Sequence, residues 1–321
     1  MLSYVVRRVV YSVPVLLLAS FLSFAFVSLA GDPLGQLRLQ RGISQLTLHQ
    51  LERQYHLDAS IPVRYWFWLE DAFAHKLGKS LLTLQPVWPD IERTLGHTGQ
   101  VVLLSEAVAL PLGLAIGILA AVRQYSLFDY VTSAFSFLGF AVPTFWLALL
   151  LQILFVDVYL HWHVRVFYTS GLNSPHAGAW SLDRLQHLAL PSLTLCIVTL
   201  ALYSRFMRAA MLDVVNADYV RTARAKGIPE WKVVLRHVLP NALIPIVTVV
   251  TLNVGGLLGG VIVTETVFTL DGAGYYFVQK LGQLDLYAVM AYLMVTAVII
   301  VVFNLLADVV YGLLDPRIRY D

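Results

Sequence analysis

Tyr219-Val220-Arg221-Thr222-Ala223-Arg224-Ala225-Lys226-Gly227-Ile228-Pro229 stands as a polar interruption between long apolar runs. It reads as a basic helix, a glycine turn and a second helix started by proline. Gly227 suits a helix C-terminal cap that needs a left-handed backbone, and Pro229 suits the first turn of the next helix, where its missing N–H costs nothing. The second helix is expected to run to about Val238. Leu212, Val215, Tyr219 and Ala223 recur on one face of the first limb; Trp231, Val234, Leu235 and Val238 recur on one face of the second. Arg221, Arg224, Lys226, Lys232 and Arg236 supply a basic surface. An amphipathic hairpin on anionic lipid would share that surface, but it would need no glycine-capped elbow. The segment is built to be gripped by another protein.

The flanking runs place this elbow beside a membrane. The chain is 58% hydrophobic and 13% charged, about half the charged share of soluble domains. A helical crossing needs about 20 apolar residues, and six stretches qualify: Val9 to Ala30, Val101 to Val122, Val131 to Leu160 with Pro143 inside, Leu188 to Met207, Ala242 to Phe268, and Tyr287 to Leu314. An all-α polytopic membrane protein with six transmembrane helices is expected. It divides into an anchor helix (1–30), an extracytoplasmic helical segment (31–98) and a five-helix core (99–321) that carries the loop 211–240.

Basic residues orient the chain. One side of the membrane holds Arg7, Arg8, Arg123, the seven from Arg205 to Arg236, Arg317 and Arg319, whereas the short connections opposite hold Arg165, Arg184 and Lys280. The positive-inside rule puts both termini and the elbow in the cytoplasm. The segment from Gly31 to Thr98 has seven basic and seven acidic residues and exceeds the loop length over which that rule operates. Within it, Leu48, Leu51 and Tyr55 share one helical face, and Trp66, Leu69 and Phe73 form a second apolar stripe. Two such helices suit a cap on the outer membrane face. Ser28-Leu29-Ala30 has the small residues of a signal-peptidase site, but the apolar run before it is too long for a signal core, so an uncleaved anchor is expected.

Polar groups at membrane depth are costly and mark pathway or packing positions. Glu106, about six residues into the second run, and Glu265, Gln152 and Asn253 are the candidates for a translocation pathway or gate; Glu106 fits pathway lining and a structural hydrogen bond equally, packing between helices is the favoured role for the amides Gln152, Asn253 and Asn304, and Glu265 and Asp308 stand near opposite ends of their helices. Gly255, Gly256, Gly259 and Gly260 offer a small-residue face for close helix packing, within the chain or with a partner. No internal repeat suggests that the chain is its own two-fold partner.

Catalytic motifs are missing where they are sought. Leu77-Gly78-Lys79-Ser80 resembles the end of a phosphate-binding loop, but Phe73 stands where its first glycine belongs. His161-Trp162-His163, with His176 and His187 further on, fits an interfacial aromatic belt better than a metal site, and no metal is expected. The lone Cys196 excludes an internal disulfide. No nucleophile setting for an intramembrane enzyme is legible.

Further residues complete a family pattern. Ala223, Gly227 and the closing Leu239-Pro240 resemble the EAA loop of permease subunits in bacterial ATP-binding-cassette importers. Phe145-Trp146-Leu147-Ala148-Leu149-Leu150, His187-Leu188-Ala189-Leu190-Pro191-Ser192-Leu193-Thr194-Leu195, Asn241-Ala242-Leu243-Ile244-Pro245, Glu265-Thr266-Val267-Phe268 and Leu314-Asp315-Pro316-Arg317-Ile318-Arg319-Tyr320 resemble the dipeptide/oligopeptide branch, its Dpp/Opp B-type subunit, as do Val6-Arg7-Arg8 and Gly31-Asp32-Pro33. Arg221 and Thr222 replace the loop's namesake Glu and first Ala, His237 replaces an aliphatic residue, and Thr269 to Gly274 stands where many relatives have Ser-Trp-Pro-Gly-x-Gly.

This resemblance implies a type I importer permease for peptides, with no cofactor of its own. Its implied partners are a second homologous permease chain, two cytoplasmic ATPase subunits that carry ATP and Mg, an extracytoplasmic peptide-binding protein and membrane lipid, with no nucleic acid. The setting implied is a bacterial cytoplasmic membrane, and the implied coupling surface is Tyr219, Arg221, Ala223, Arg224, Lys226, Gly227, Trp231, Arg236 and Pro240. Relatives of this shape import dipeptides, oligopeptides, haem, nickel chelates or glutathione. The alternatives are an ATPase-independent secondary transporter or channel, and a membrane scaffold or enzyme; neither needs such an elbow.

Overall fold

A computed structural model of the chain describes residues 2–39, 43–74, 77–175, 178 and 181–314. His176 and the carboxy-terminal motif from Asp315 onward lie outside them. The described residues are helical apart from connections and one isolated bridge between Lys79 and Pro86. Among the described residues six helices are long and apolar enough to cross a membrane.

The anchor is α1 (Leu2–Leu29). Then come α2 (Gly35–Leu39), α3 (Gln45–Gln54) and α4 (Ile61–Ala74). The core starts with α5 (Trp88–Val122), earlier than the apolar run itself, because Pro89 in the first turn and Asp90 beside it suit a helix start. Helix α5 therefore runs across the expected boundary at residues 98 and 99.

One expected helix is two. The run from Val131 to Leu160 is divided into α6 (Leu127–Ala141) and α7 (Thr144–Trp162), with Val142 and Pro143 extended between them. Pro143 has no N–H to donate to residue 139 and biases Val142 away from helical geometry. The two pieces still make one crossing antiparallel to α8 (Leu182–Val215). Asp129 binds Arg208, Ser136 Oγ lies 2.9 Å from Ser204 Oγ, Gly139 abuts Ala201, and Ala148 packs with Leu190 and Leu195. Pairing thus proceeds in one direction across the break.

Helices α5 and α8 run parallel at the centre. Ser192 Oγ donates to the Val101 carbonyl at 3.2 Å, and Gly113 and Gly117 sit against Tyr203 and Met207. A Cβ on Gly117 would lie 2.6 Å from the Ser204 carbonyl oxygen, so glycine permits backbone approach there.

Beyond α8 come α9 (Asp218–Ala225) and α10 (Glu230–Val233), which passes through a π turn (Val234–Val238) directly into α11 (Leu239–Gly260). The short α12 (Ile262–Val267) and α13 (Ala273–Gly282) precede the last span, α14 (Leu286–Leu314). The expected fifth span, Ala242 to Phe268, is thus two helices that part at Val261.

The segment between α1 and α5 caps the α1/α14 pair. Leu48, Leu51 and Tyr55 of the expected face are buried with Phe24, Leu286, Tyr287 and Met290. On α4 the buried side chains are Tyr65 and Trp68, while Trp66 and Phe73 are 66% and 81% exposed. Docking on α1 selects that face: Tyr65 packs edge-on to Phe21 and Phe24 at 5.2 and 5.7 Å, and its hydroxyl lies 2.7 Å from Ser20 Oγ. Both stripes have helical spacing, so periodicity alone could not choose. The Gly78-Lys79-Ser80 stretch is a tie to the core, with Ser80 Oγ donating to the fully buried Asp285 at 2.5 Å and the Leu81 amide donating to its other oxygen at 3.1 Å.

Candidate functional site

The elbow is pinned at both limbs. Helix α9 ends in a Schellman cap: Gly227, at φ +74°, donates its N–H to the Arg224 carbonyl at 2.9 Å, and the Ile228 N–H reaches the Ala223 carbonyl at 3.4 Å. Pro229 takes the extended N-cap position of α10. Arg224 then bridges the turn. Its Nε and a terminal nitrogen donate to the two oxygens of Glu230 at 3.1 and 2.6 Å, and its other terminal nitrogen donates to the Val215 carbonyl at 3.2 Å. Glu230 beside it holds the Arg224 guanidinium above its ordinary range, so this clamp stays charged at any physiological pH.

The second limb does not stop at Val238. Pro240 lacks an N–H for the Arg236 carbonyl, and the helix absorbs the proline by widening: the Leu239 N–H bonds the Val234 carbonyl, five residues back. The side chain of Asn241 donates to the His237 carbonyl at 2.9 Å. The limb carrying Trp231 is consequently continuous with α11.

Packing divides the elbow's residues. Val220, Ala223, Val233, Val234 and Val238 are buried with Met207, Met211 and Ile246. Of the expected faces, Ala223, Val234 and Val238 are buried there and Leu212 and Val215 pack against them, whereas Tyr219, Trp231 and Leu235 are 47%, 62% and 52% exposed. Ala223 is a packing residue, and Arg224 an internal tie. Outward face Tyr219, Trp231, Arg221, Lys226, Lys232, Arg236 and Pro240, with the Lys232 ammonium 5.2 Å from the Trp231 ring centre. Exposed aromatics among basic groups have the composition of a protein contact surface.

Within the bundle the four pathway candidates occupy different settings. Glu106 is 9% exposed and accepts from the Tyr203 hydroxyl at 3.0 Å, and that hydroxyl accepts from Asn253 Nδ2 at 3.0 Å. Three helices, α5, α8 and α11, meet in this network. Gln152 donates to the carbonyls of Thr169 and Val267 at 2.7 and 3.0 Å, tying α7 to the connection that follows it and to the last residue of α12. Glu265 has no exposed surface. It accepts from Thr98 Oγ at 2.5 Å and from the Gly274 and Tyr275 amides at 2.7 and 3.0 Å, so its carboxylate caps α13. The Thr269 to Gly274 connection closes around it: a Cβ on Gly272 would overlap the Glu265 carboxyl, while Arg93 pairs with Asp271 and His97 Nδ1 lies 2.6 Å from the Asp271 carbonyl.

If Glu106, Tyr203 and Asn253 form a packing network, Tyr203→Phe leaves the carboxylate with only a 3.4 Å contact to Asn253 and costs about 1–3 kcal/mol. A lowered thermal midpoint of the purified protein in detergent is expected. An unchanged midpoint with altered transport would place the carboxylate in the pathway instead.

Gly255 is buried against Phe303 of α14, where a Cβ would lie 2.6 Å from the Phe303 Cβ, but Gly256 has nothing within 4 Å of such a Cβ. The glycine face is split between a contact inside the chain and an open side; the surroundings of Gly259 and Gly260 lie outside what is described. Among the described residues no group of three His, Cys, Asp or Glu could hold a metal ion. His161 Nδ1 lies 3.0 Å from the Asp157 carbonyl, and His187 stacks on Tyr168 at 3.8 Å.

Sequence reasoning missed Tyr203 and the pair of Asp129 with Arg208. Opposite charges at matching depth in consecutive spans were the available signal for the pair; nothing marked Tyr203 among sixteen tyrosines.

Residues 113–320 match the family described as the binding-protein-dependent transport system inner membrane component, and residues 1–99 match the N-terminal region of the membrane component of such systems. The chain is 38% identical to the oligopeptide transport system permease protein AppB of Bacillus subtilis (strain 168), over 100% of both chains. It is 32% identical to the dipeptide transport system permease protein DppB of Escherichia coli (strain K12), over 100% of this chain and 99% of that one. Among solved structures, a chain of the inward-facing MetNI methionine ABC transporter superposes with a TM-score of 0.51 at 15% identity, covering 71% of this chain and 96% of that one, a likeness of fold.

Proposed function

The chain belongs to the family of inner membrane components of binding-protein-dependent transport systems, and from that premise we propose that it is one of two permease subunits of an ATP-driven peptide importer. The full-length relatives named for oligopeptide and dipeptide transport support peptides as cargo. Both termini and the elbow lie in the cytoplasm in this reading, by the distribution of Lys and Arg. Two ATPase subunits, which bring ATP and Mg, grip the elbows; an extracytoplasmic binding protein delivers peptide to the other face.

The observation that carries the reading is the continuity of the Trp231 limb with α11. A displacement imposed on the exposed surface of Tyr219, Trp231 and Leu235 moves a transmembrane helix without an intervening hinge, because Arg224 and Glu230 lock the turn. ATP binding by the partners biases a two-state equilibrium of the bundle toward outward opening, and hydrolysis releases it. The chain contributes the path and the lever. Its partners contribute the energy.

The isolated chain is therefore expected to hydrolyse no ATP, and to co-purify with two ATPase polypeptides and one other permease when expressed with them. Malachite-green phosphate release and the subunit masses of the purified assembly measure this. A monodisperse homodimer of this chain alone that transports peptide would overturn it.

A further inference from the structure

Arg184 is 6% exposed in the first turn of α8, the end of that helix remote from the elbow. Its Nε donates to Gln100 Oε1 at 2.8 Å, and its terminal nitrogens have no hydrogen-bond partner among the described residues. No carboxylate pairs with it there. Asp183 beside it is turned to Ser174, whose amide and hydroxyl it accepts at 2.8 and 2.7 Å, and to His187. A buried ionised side chain near the end of a span is costly unless it is paired or hydrogen-bonded.

The guanidinium borders a cavity of about 270 Å³ between α5 and α8, walled by Leu103, Leu104, Ala107, Leu185 and Leu188. Two of those walls open outward: Leu103 is 70% and Leu185 46% exposed. One cation at the rim and leucines below match an oxyanion carried on an apolar body. A guanidinium binds phosphate through parallel N–H donors, and the first turn of a span lies at headgroup depth.

We propose that this cavity is a phospholipid site in the leaflet opposite the elbow, with the lipid phosphate on Arg184 and an acyl chain along Leu103 and Leu185. The apolar, outward-opening walls favour lipid over a peptide carboxylate, which would enter from an aqueous path. The site stands apart from the elbow and from the Glu106 network.

Native mass spectrometry of the assembled complex, titrated with phosphatidylglycerol and with diacylglycerol of the same chains, tests it. Phosphatidylglycerol is expected to be retained about tenfold more strongly than diacylglycerol, the size of one charge-assisted contact. Arg184→Gln is expected to abolish that preference; Ala107→Phe, which fills the cavity and keeps the guanidinium, is expected to remove one bound lipid per chain. Equal retention of the two lipids by the unaltered complex would overturn the proposal without reliance on any variant. So would unchanged lipid occupancy in both variants, or one-for-one displacement of phosphatidylglycerol by a tripeptide.

Discussion

Asp129→Ala is expected to lower stability by about 3–5 kcal/mol, because it strips the counter-charge from Arg208 at the start of α6. Asp129 is 2% exposed and accepts from Nε and a terminal nitrogen of Arg208 at 2.5 and 2.8 Å. It also accepts from the Tyr125 amide at 3.0 Å, where the turn into α6 has a positive φ. The pair fastens α6 to α8 on the side of the bundle nearest the elbow. Loss of assembled protein after detergent extraction is the expected readout, with a lowered thermal midpoint for what remains. Asp129→Ala combined with Arg208→Leu removes both charges and should recover most of the loss, since two apolar groups leave no unpaired ion. If the double variant were no better than the single one, the cost would lie in the Tyr125 turn rather than in the ion pair.

Gly227→Val is expected to cut uptake about tenfold, the equivalent of roughly 1–2 kcal/mol of left-handed strain in a residue with a Cβ. Nothing lies within 4 Å of a Cβ built at Gly227, so the effect comes from backbone conformation and not from a clash. Strain at the cap is relieved by opening the turn, which tilts the Trp231 limb away from α9. Uptake and ATP hydrolysis of reconstituted complexes should separate, while membrane insertion and binding-protein docking persist. Gly227→Asn supplies the control, because asparagine tolerates the left-handed region and should keep near wild-type coupling. Wild-type uptake and hydrolysis in the valine variant would mean that the elbow is not a coupling element, and its basic surface would then belong to the lipid.

Some of this was legible because it rests on local rules. The glycine cap at Gly227 and the start at Pro229 follow from φ preferences that neighbours barely alter. The six apolar runs follow from bilayer thickness, and the membership of the peptide permease branch follows from motifs spread along the chain. The Leu48, Leu51 and Tyr55 face was legible as well, since α3 has one apolar stripe only.

Where two local solutions were equally good, packing decided. On α4 the stripes of Tyr65 with Trp68 and of Trp66 with Phe73 have the same periodicity, and the aromatic surface of α1 selected the first. Along the elbow neighbouring apolar positions competed, and the floor formed by Met207, Met211 and Ile246 took Val220 and Val233 beside the expected Ala223, Val234 and Val238, leaving Tyr219, Trp231 and Leu235 outside. The prolines divided likewise. Pro143 broke a crossing in two, whereas Pro240 was absorbed by a π turn, and no local signal distinguishes these outcomes.

Long-range polar partners were the part the sequence left open. It determined by itself that this protein is a helical, multi-pass membrane component with a capped elbow, because helix length, apolar run and glycine conformation are short-range properties. Only the tertiary structure decided that Glu106 meets Tyr203 and Asn253, that Asp129 meets Arg208, that Glu265 caps α13, and that the elbow's second limb is an extension of α11. Those pairings depend on how α5, α8 and α11 approach one another across many residues of chain. In a bilayer, where buried charge and unpaired N–H groups are costly, the bundle must settle them together.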